Sequence, residues 1–422
     1  MIIVGVFTLF LLLGFPFAFV VLMTATLGIL FYSGTSIQIV IQQLYSGLNN
    51  YILLAIPFFI MSGSIAARGD TSNHLIRVMR IFFGRIHGGS LIASILACTF
   101  FASISGSSIA TIIAIGTIMI PKLIEEHYPE RMAIGTVTAC GTIGILIPPS
   151  APMVALCVTL GTSVSAQFLS GFVPGILVAI AWSLYAYIAS KRLKLEKPAK
   201  VPFREMASII YKAIPALLFP LVILGGIYGG ITTPTEASAI AVVYVVFVEI
   251  FVYKTATLSK IYESLSKGLV TCATLVFIIA CANVFSWLVN TQQLPVMLNA
   301  FITSNVASKE AFLILLLFIF IALGFFMDVF SLIIIMSPLL KPTLLAYDID
   351  LIHYGLLCVL LSEIDMTTPP FGLGLFVSMG LTKKGLWEIA WGTVPYTLIL
   401  IVITLLIAFV PQIALWLPQT LM

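Results

Sequence analysis

A short segment between two apolar runs concentrates oxygen-bearing side chains. Residues 103–108 read Ser-Ile-Ser-Gly-Ser-Ser, which places four hydroxyl groups and one glycine in six positions. Where a membrane helix is interrupted, hydroxyl and backbone carbonyl oxygens can bind a small hard cation such as Na⁺. Serine and glycine in membrane helices also serve as close-packing residues. The segment therefore predicts a cation site or, as the alternative, a tight helix contact.

A second interruption lies in residues 141–150, which read GTIGILIPPS. Pro148 and Pro149 have no backbone N–H to donate, so they break the helix. The carbonyl groups upstream of them lose their hydrogen-bond partners and can point at a cation. The two interruptions together predict one binding region between a hydroxyl-rich tip and a proline break.

Membrane helices must hold these groups in place. Of the 422 residues, 61% are hydrophobic and 9% are charged, whereas a soluble domain carries about 25% charged residues. Apolar runs long enough to cross a hydrocarbon core of about 30 Å recur along the chain. They cover residues 2–23, 51–67, 172–190, 213–230, 236–253, 268–289, 309–327 and 392–410. Such runs are too long for barrel strands, so the sequence predicts an all-α polytopic membrane protein.

Charge and cysteine usage exclude other classes of protein. The run 2–23 has no basic region before it, so we expect a retained helix rather than a signal peptide. The six cysteines lie in apolar runs without metal or disulfide spacing, and we expect all of them to be packing residues. The net charge of +4 bears on membrane topology, and we expect no nucleic-acid partner.

An internal repeat relates the two halves of the chain at an offset of 221 residues. The pair Pro148-Pro149 recurs as Pro369-Pro370, and Ser107 maps onto Asp328. The same offset maps Pro121 onto Pro342, Gly171 onto Gly392 and Pro174 onto Pro395. Several prolines in one ungapped register indicate an old structural duplication.

Basic residues decide the orientation of the repeats, because cytoplasmic loops collect Lys and Arg. Residues 68–85 hold four arginines and their counterpart 289–306 holds none. The uncharged segment 161–168 has a counterpart with two lysines, and the basic linker 191–212 has an uncharged counterpart at the chain end. In each comparison one segment is basic and its counterpart is uncharged. Corresponding loops are therefore expected on opposite sides of the membrane, which predicts inverted repeats. We expect the N-terminus in the cytoplasm and the C-terminus in the periplasm.

The repeat also predicts two re-entrant hairpins and two broken helices. The run 88–122 is too long for one helix with residues 103–108 at its centre, so we expect two half-helices that meet at a tip. In the second half, the tip falls at residues 324–328 and the break at residues 362–370. Each half then holds one Na⁺ between tip and break, at least two ions in all. The half-helix N-termini suit an anionic substrate.

Acidic residues inside the membrane are costly and usually functional. Asp328, at the second tip, could line a substrate cavity, assist a cation site or cap a half-helix. Glu363 and Asp365 could neutralise Na⁺ or accept hydrogen bonds from freed backbone N–H groups. We expect a structural role for Glu236, because the sequence TTPTE at residues 232–236 is typical of a helix start. The four histidines fall near predicted loop ends, and we assign them no site.

These motifs resemble those of the large membrane subunit of TRAP (tripartite ATP-independent periplasmic) transporters. The most specific stretch is GGIYGGITTPTEASAIAVVY at residues 225–244. The tip SISGSSIATIIAIGTIMIP and the breaks GILIPPSAPM and DMTTPPFGLGLFV are also similar to that subunit. The resemblance covers essentially the whole chain.

The resemblance implies an elevator mechanism, in which a transport domain with both hairpins slides against a scaffold. It implies Na⁺-driven uptake of an organic acid, sialic acid or a C4-dicarboxylate, that a periplasmic substrate-binding protein delivers. A small membrane subunit packs on the scaffold, and we expect a separate chain. The implied location is the bacterial inner membrane, with a bilayer as partner and no organic cofactor.

The resemblance also assigns residues and boundaries. The first Na⁺ site would comprise Ser103, Ser105, Gly106, Ser107, Gly141, Gly144, Ile147 and Pro149, and the second Gly324, Met327, Asp328, Thr367 and Thr368. We expect the substrate to contact Ser107, Ser108, Ser150 and Asp328. Residues 1–80 would form scaffold helices and an interfacial arm, 81–190 the first transport half, 191–290 a linker and scaffold helices, and 291–422 the second transport half.

Two other functions are compatible with parts of the pattern. A stand-alone Na⁺/dicarboxylate symporter has the same architecture, but the TPTEA stretch argues against it. A membrane-embedded aspartyl enzyme would use Asp328 and Asp365, but such chemistry needs two convergent acids and typically a GxGD context. The second tip reads Gly-Phe-Phe-Met-Asp. We therefore expect a transporter and not an enzyme.

Overall fold

The computed structural model describes residues 2–193, 202–370 and 372–422, and these ranges contain helices and no strand. The helices of the first half are α1 Ile2–Leu12, α2 Phe17–Gly28, α3 Gln38–Leu48, α4 Ala55–Arg68, α5 Thr71–Phe83, α6 Gly89–Ser105, α7 Ser108–Glu125, α8 Glu130–Thr142, α9 Ala151–Leu160 and α10 Val164–Ser190. Those of the second half are α11 Phe203–Tyr228, α12 Pro234–Phe247, α13 Leu258–Thr291, α14 Leu294–Asn305, α15 Lys309–Gly324, α16 Val329–Ala346, α17 Leu351–Met366, α18 Leu373–Thr382, α19 Leu386–Phe409 and α20 Gln412–Leu421.

Eight helical segments in the described part of the chain are long and apolar enough to cross a membrane. They include the long helices α10, α11, α13 and α19, and also the second helix of each predicted hairpin. This confirms a polytopic all-α protein. The six cysteines are all buried and unpaired, as the sequence predicts.

Two expectations from the sequence need correction. The run 2–23 is not one helix, because Gly14 takes a left-handed φ of +77° and Pro16 follows it, which ends α1 and restarts the chain as α2. The linker 191–212 is shorter than expected, since α11 already begins at Phe203; its residues 194–201 lie outside the described ranges. His74 and His353 lie near loop ends as expected, in the first turns of α5 and α17, and both are buried.

Helix bounds confirm the duplication. Shifted by 221 residues, α7 falls on α16 with the same first and last positions, and α8 and α17 share their first position. The breaks also correspond, since both Pro148-Pro149 and Pro369-Pro370 contain a cis peptide bond. The repeat of the half-chain is therefore present in the structure as well as in the sequence.

Both predicted hairpins are present. Helices α6 and α7 meet at residues 106–107, and α15 and α16 meet at residues 325–328. The open ends of each hairpin lie together. Arg80, just before the first hairpin, pairs with Glu126 just after it. In the second hairpin the Tyr347 hydroxyl donates to the Val306 carbonyl at 2.7 Å.

The two halves interlock around these hairpins. Helix α7 packs on α18 from the other half, and α16 packs reciprocally on α9. Such reciprocal contacts are what two repeats related by a two-fold axis produce. Hydrogen bonds cross the same interface, from Thr136 to Tyr396 at 2.6 Å and from Thr138 to Ser378 at 2.7 Å.

The remaining helices form a second packed group. Helix α13 packs against α2, α3 and α4, and α12 packs against α4. The amphipathic helix α5 lies between the two groups, against α6 on one side and α11 on the other. Buried Glu249 fixes its start by accepting hydrogen bonds from the backbone N–H groups of Asp70 and Thr71, at 2.9 and 3.0 Å.

Candidate functional site

The tip of the first hairpin touches the first proline break. Gly106 has a left-handed φ of +57°, and its carbonyl oxygen accepts a hydrogen bond from the backbone N–H of Ala151 at 3.4 Å. A Cβ atom at Gly106 would lie 2.7 Å from the Pro149 carbonyl oxygen. Glycine is required here both for its conformation and for this close approach.

Hydroxyl groups connect the same tip to the helices around it. The Ser105 and Thr111 hydroxyls share a hydrogen bond of 2.9 Å, and Thr111 donates to the Ser107 carbonyl at 2.9 Å. The Ser108 hydroxyl donates to the Thr142 carbonyl at 2.7 Å, at the point where α8 ends. A hydroxyl that donates one hydrogen bond keeps a lone pair for a cation.

The other predicted residues of the first site have packing or capping contacts. The Ser103 hydroxyl donates to the Phe100 carbonyl at 2.6 Å within α6. Gly144 admits the Ser107 carbonyl, which would lie 2.7 Å from a Cβ there. The Gly141 position packs on Ile112, the Ile147 side chain packs on Gly175, and the buried Ser150 hydroxyl caps α9 at the Met153 N–H. Gly141, Gly144, Ile147 and Pro149 have no side-chain oxygen, so each could offer an ion only its main-chain carbonyl oxygen.

Helix α4 reaches this tip from the second helix group, a contact that the sequence does not reveal. Gly63 lies so close to Ser105 that a Cβ would be 2.6 Å from the Ser105 Cα. The neighbouring Ser62 hydroxyl donates to the Phe59 carbonyl at 2.8 Å and lies 3.5 Å from the Ile104 carbonyl. The small residues of α4 thus form the surface on which the first tip rests.

The second tip is acidic. Asp328 caps α16, since its Oδ2 accepts from the backbone N–H groups of Phe330 and Ser331 at 3.0 and 3.3 Å, and its Oδ1 accepts from the Ser331 hydroxyl. The Asp328 carboxylate is therefore engaged as an N-cap. Of the three roles left open by the sequence, the structure displays this one directly.

Asp365 and the second tip together border a cavity of about 200 Å³. Its carboxyl group lies against the α-carbon of Gly324, and its Oδ1 is buried without a hydrogen-bond partner among the described residues. The cavity is lined by Gly324, Phe326, Met327, Asp328, Val329, Leu332, Ser362, Asp365, Met366, Leu373 and Phe376. Within the described ranges, two carboxyl groups and no basic side chain line it, a combination that suits a cation.

The predicted threonines of the second site lie beside this cavity rather than in its lining. The Thr367 hydroxyl contacts the Ile364 carbonyl at 3.0 Å and the Thr397 hydroxyl at 2.9 Å. The Thr368 hydroxyl donates to the Ile364 carbonyl at 2.7 Å. The structure thus brings together Gly324, Met327 and Asp328 at the cavity. It places both threonine hydroxyls on α17, and Thr367 also contacts α19.

Two further acids have distinct environments. Glu363 is fully buried in α17, and neither of its carboxyl oxygens has a partner within the described ranges. Glu236 forms the predicted helix start, because it completes a capping box with Thr233 at the beginning of α12. The structural role expected for Glu236 is confirmed.

Sequence reasoning missed several residues of these regions. Thr111 and Thr142 are not among the predicted site residues. The Thr111 hydroxyl and the Thr142 carbonyl oxygen nevertheless form hydrogen bonds with residues of the first tip. Thr111 follows Ser107 by four residues, the spacing that places both on one helix face, and this signal could have found it. Asp365 precedes the second proline pair by four residues, but its pairing with Gly324 depends on tertiary packing alone.

Comparison with known proteins adds an independent line of information. Residues 4–413 match the family described as "Tripartite ATP-independent periplasmic transporter, DctM component". The chain is 37% identical to the C4-dicarboxylate TRAP transporter large permease protein DctM of Pseudomonas aeruginosa, over 94% of this chain and 93% of that protein. It is 32% identical to the ectoine TRAP transporter large permease protein TeaC of Halomonas elongata, over 96% of each.

Two other likenesses differ in kind. The isethionate TRAP transporter permease protein DctMQ of Oleidesulfovibrio alaskensis is 31% identical over 97% of this chain, which matches 65% of that longer protein. The crystal structure of the Alcanivorax borkumensis YdaH transporter shares the fold, with a TM-score of 0.63 over 88% of this chain and 86% of that one. Its sequence is 13% identical, so this likeness concerns fold alone.

Proposed function

The chain belongs to the DctM family of tripartite ATP-independent periplasmic transporters, and from this premise we propose that it couples Na⁺ entry to uptake of an organic acid anion. As a large permease subunit it is a secondary transporter of organic acids in a membrane. The observation that carries Na⁺ coupling is the contact of each hairpin tip with a proline-broken helix. Gly106 meets Pro149 and Ala151 in one half, and Gly324 meets Asp365 in the other.

The two tips supply different oxygen sets for Na⁺ as a co-transported ion. The first offers hydroxyls of Ser105 and Thr111 and carbonyls such as those of Ser107 and Thr142. The second offers the carboxyl group of Asp365, whose Oδ1 has no other partner in the described part of the chain. Oxygen ligands of both kinds suit a hard cation. We assign one Na⁺ to each tip.

The helix groups favour an elevator mechanism. The hairpins and broken helices, with α10 and α19, would form the transport domain, roughly residues 81–190 and 291–422. Helices α2 to α4 and α11 to α13 would form the scaffold. Gly63 on α4 lets the first tip pass close to the scaffold, and a contact between small residues can slide without steric locking. Helix α5 would be the arm that joins the two.

Substrate and partners follow from the relatives. We favour a C4-dicarboxylate over sialic acid, because the relative with 37% identity is named for C4-dicarboxylate transport. Ectoine and isethionate relatives of similar identity make these the next compounds to assay. A periplasmic binding protein would deliver the substrate and a small membrane subunit would complete the permease. The distribution of basic loops supports an N-terminus in the cytoplasm and a C-terminus in the periplasm, and we propose this orientation in the inner membrane.

Proteoliposomes that contain the chain, its small subunit and its binding protein test this function. We expect uptake of labelled succinate only with an inward Na⁺ gradient and only when the binding protein is added. Uptake that persists without the binding protein would identify a stand-alone symporter instead. Uptake that ignores the Na⁺ gradient would overturn Na⁺ coupling, and a panel with sialic acid, ectoine and isethionate would correct the substrate.

A further inference from the structure

A cavity of about 520 Å³ lies outside both tip regions, where α5 meets α11 and the chain after α12. We call it the arm cavity. Its lining consists of Asp70, His74, Arg77, Tyr211, Lys212, Ile214, Pro215, Val252 and Tyr253. None of these residues belongs to the cation regions, and the transport mechanism above does not use them.

The charged groups of the arm cavity favour a singly charged anion. Arg77 and Lys212 line it, and neither forms an ion pair with any described residue. Asp70 is the one carboxylate among the described residues that line it, and the Asp70 Oδ1 accepts a hydrogen bond from the Asn73 side-chain amide at 2.8 Å. With His74 neutral, the lining carries one net positive charge.

His74 provides an unused polar atom. Its side chain is 9% exposed, and its ring stacks on Tyr253 with the centroids 4.3 Å apart. Its Nδ1 is buried and has no hydrogen-bond partner among the described residues. Burial lowers the pKa of His74 below its ordinary value, although nearby Asp70 opposes this effect, so the ring is mainly neutral at neutral pH. A neutral ring can donate to, or accept from, a bound ligand.

The sequence around the arm cavity indicates a position near the membrane surface. Lys212 is the last charged residue of α11, and none follows before Tyr228. On the other wall, Lys254 follows Val252 and Tyr253 directly. Tyr211, beside Lys212, is 75% exposed, as tyrosines of the membrane interface commonly are. Phospholipid headgroups occupy this level.

An apolar stripe continues from the arm cavity along α11. Ile214, Leu218 and Leu221 are exposed and lie at helical spacing, so they share one face that begins beside Tyr211. An acyl chain can lie along such a stripe, whereas a free phosphate ion gains nothing from it. The combination of a cationic cavity and an apolar stripe therefore favours a lipid over a soluble anion.

We propose that the arm cavity binds the phosphodiester headgroup of phosphatidylglycerol, with Arg77 and Lys212 on the phosphate and one acyl chain on the stripe of α11. Basic pockets between membrane helices are suited to anionic headgroups in this way. The bound lipid bridges α5 and α11. Because α5 leads through Gly88, at a φ of +69°, into the first hairpin, the lipid holds the first half of the helix that precedes that hairpin.

Lipid binding to the full chain in phosphatidylcholine nanodiscs tests this site without any transport assay. Fluorescent phosphatidylglycerol is titrated against the wild type, an Arg77→Gln/Lys212→Gln variant and an Arg85→Gln/Lys191→Gln control. The control removes two exposed basic residues that do not line the arm cavity, so both variants lose the same charge. Inorganic phosphate and unlabelled phosphatidylethanolamine are added as competitors.

We expect the cavity variant to bind phosphatidylglycerol about thirtyfold more weakly than the control, because each basic residue contributes about fivefold. Equal binding by both variants would overturn the site. Displacement by millimolar phosphate would show that the cavity binds a free anion and not a lipid. Equal displacement by phosphatidylethanolamine would show that the cavity does not select an anionic headgroup. If the double variant fails to fold, Lys212→Gln alone, at an exposed position, gives the same comparison against Lys191→Gln.

Discussion

The carboxyl group of Asp365 lies against the α-carbon of Gly324, so the second broken helix meets the tip of the second hairpin with no side chain between them. Asp365 Oδ1 is buried and has no hydrogen-bond partner in the described part of the chain. An ionised carboxyl group in this position needs a cation, because an unpaired buried charge is costly. The contact therefore marks the place where ion binding can hold hairpin and helix together.

Replacement of Asp365 by Asn should reduce Na⁺-driven uptake about tenfold or more, because it removes the charge of a membrane acid without changing its size. Uptake in proteoliposomes over a range of Na⁺ concentrations measures this effect. Ser362→Ala, at a neighbouring position of the same cavity lining, is the control and should have a smaller effect. Wild-type Na⁺ dependence in Asp365→Asn would remove this residue from the ion site.

Two substitutions of Asp328 distinguish its role as a helix cap from the role of its negative charge. Asn is as good an N-cap as Asp, whereas Ala loses about 1 kcal/mol of helix capping. Because both Asp328 oxygens are engaged in the cap of α16, we expect Asp328→Asn to keep most of the uptake and Asp328→Ala to lose it while remaining in the membrane. Loss of uptake in both variants, with normal folding, would show that the charge itself is needed.

Ser108→Ala should raise the Na⁺ concentration for half-maximal uptake about fivefold, the factor that corresponds to a lost hydrogen bond of about 1 kcal/mol. The change removes the 2.7 Å bond that ties the first tip to the end of α8. Ser94→Ala is a matched control, since its hydroxyl bonds only to Ser90 within α6. The first site is in doubt if the two variants need the same Na⁺ concentration.

Gly106→Ala should abolish uptake, while Gly161→Ala should leave most of it. Both glycines have a left-handed φ, so alanine costs each position about 1–2 kcal/mol of backbone strain. Only at Gly106 does the new Cβ meet another group, the Pro149 carbonyl oxygen; no atom lies within 4 Å at Gly161. Equal uptake by the two variants would show that the contact between tip and break is dispensable.

Glu249→Gln should weaken the attachment of the start of α5 and lower the stability of the protein. The Glu249 carboxylate accepts hydrogen bonds from the Asp70 and Thr71 N–H groups and from the hydroxyls of Thr71 and Thr255. Hydrogen bonds to a charged group contribute about 1.5–3 kcal/mol each, so the apparent unfolding temperature in detergent should fall by several degrees. Glu236→Gln, in the exposed capping box of α12, should change it less. The reverse order would contradict the anchoring role.

Local sequence signals predicted the parts of the fold that depend on one segment. Prolines, glycines and hydroxyl clusters locate both tips and both breaks, and the offset of 221 residues reproduces the bounds of α7 in α16. The break at Gly14 and Pro16 was also within reach, since glycine and proline flank it. The long apolar run obscured that break, because hydropathy alone does not register backbone conformation.

Contacts between distant segments could not be predicted in this way. Gly63 meets Ser105 and Gly324 meets Asp365 because of how helices pack, and a single sequence carries no local trace of either contact. The buried position of His74 has the same origin, since its ring stacks on Tyr253 from a distant segment of the chain. Capping by Asp328 was one of three alternatives, and only the geometry of the tip displays it.

The reciprocal packing of α7 on α18 and of α16 on α9 also has a consequence for biosynthesis. When α7 enters the membrane, the ribosome still has some 250 residues to add before α18 emerges, so the first hairpin is without its covering helix during that time. The second hairpin is made when its partner α9 is already present. The first half of the chain therefore reaches its final packing only after the second half has been inserted.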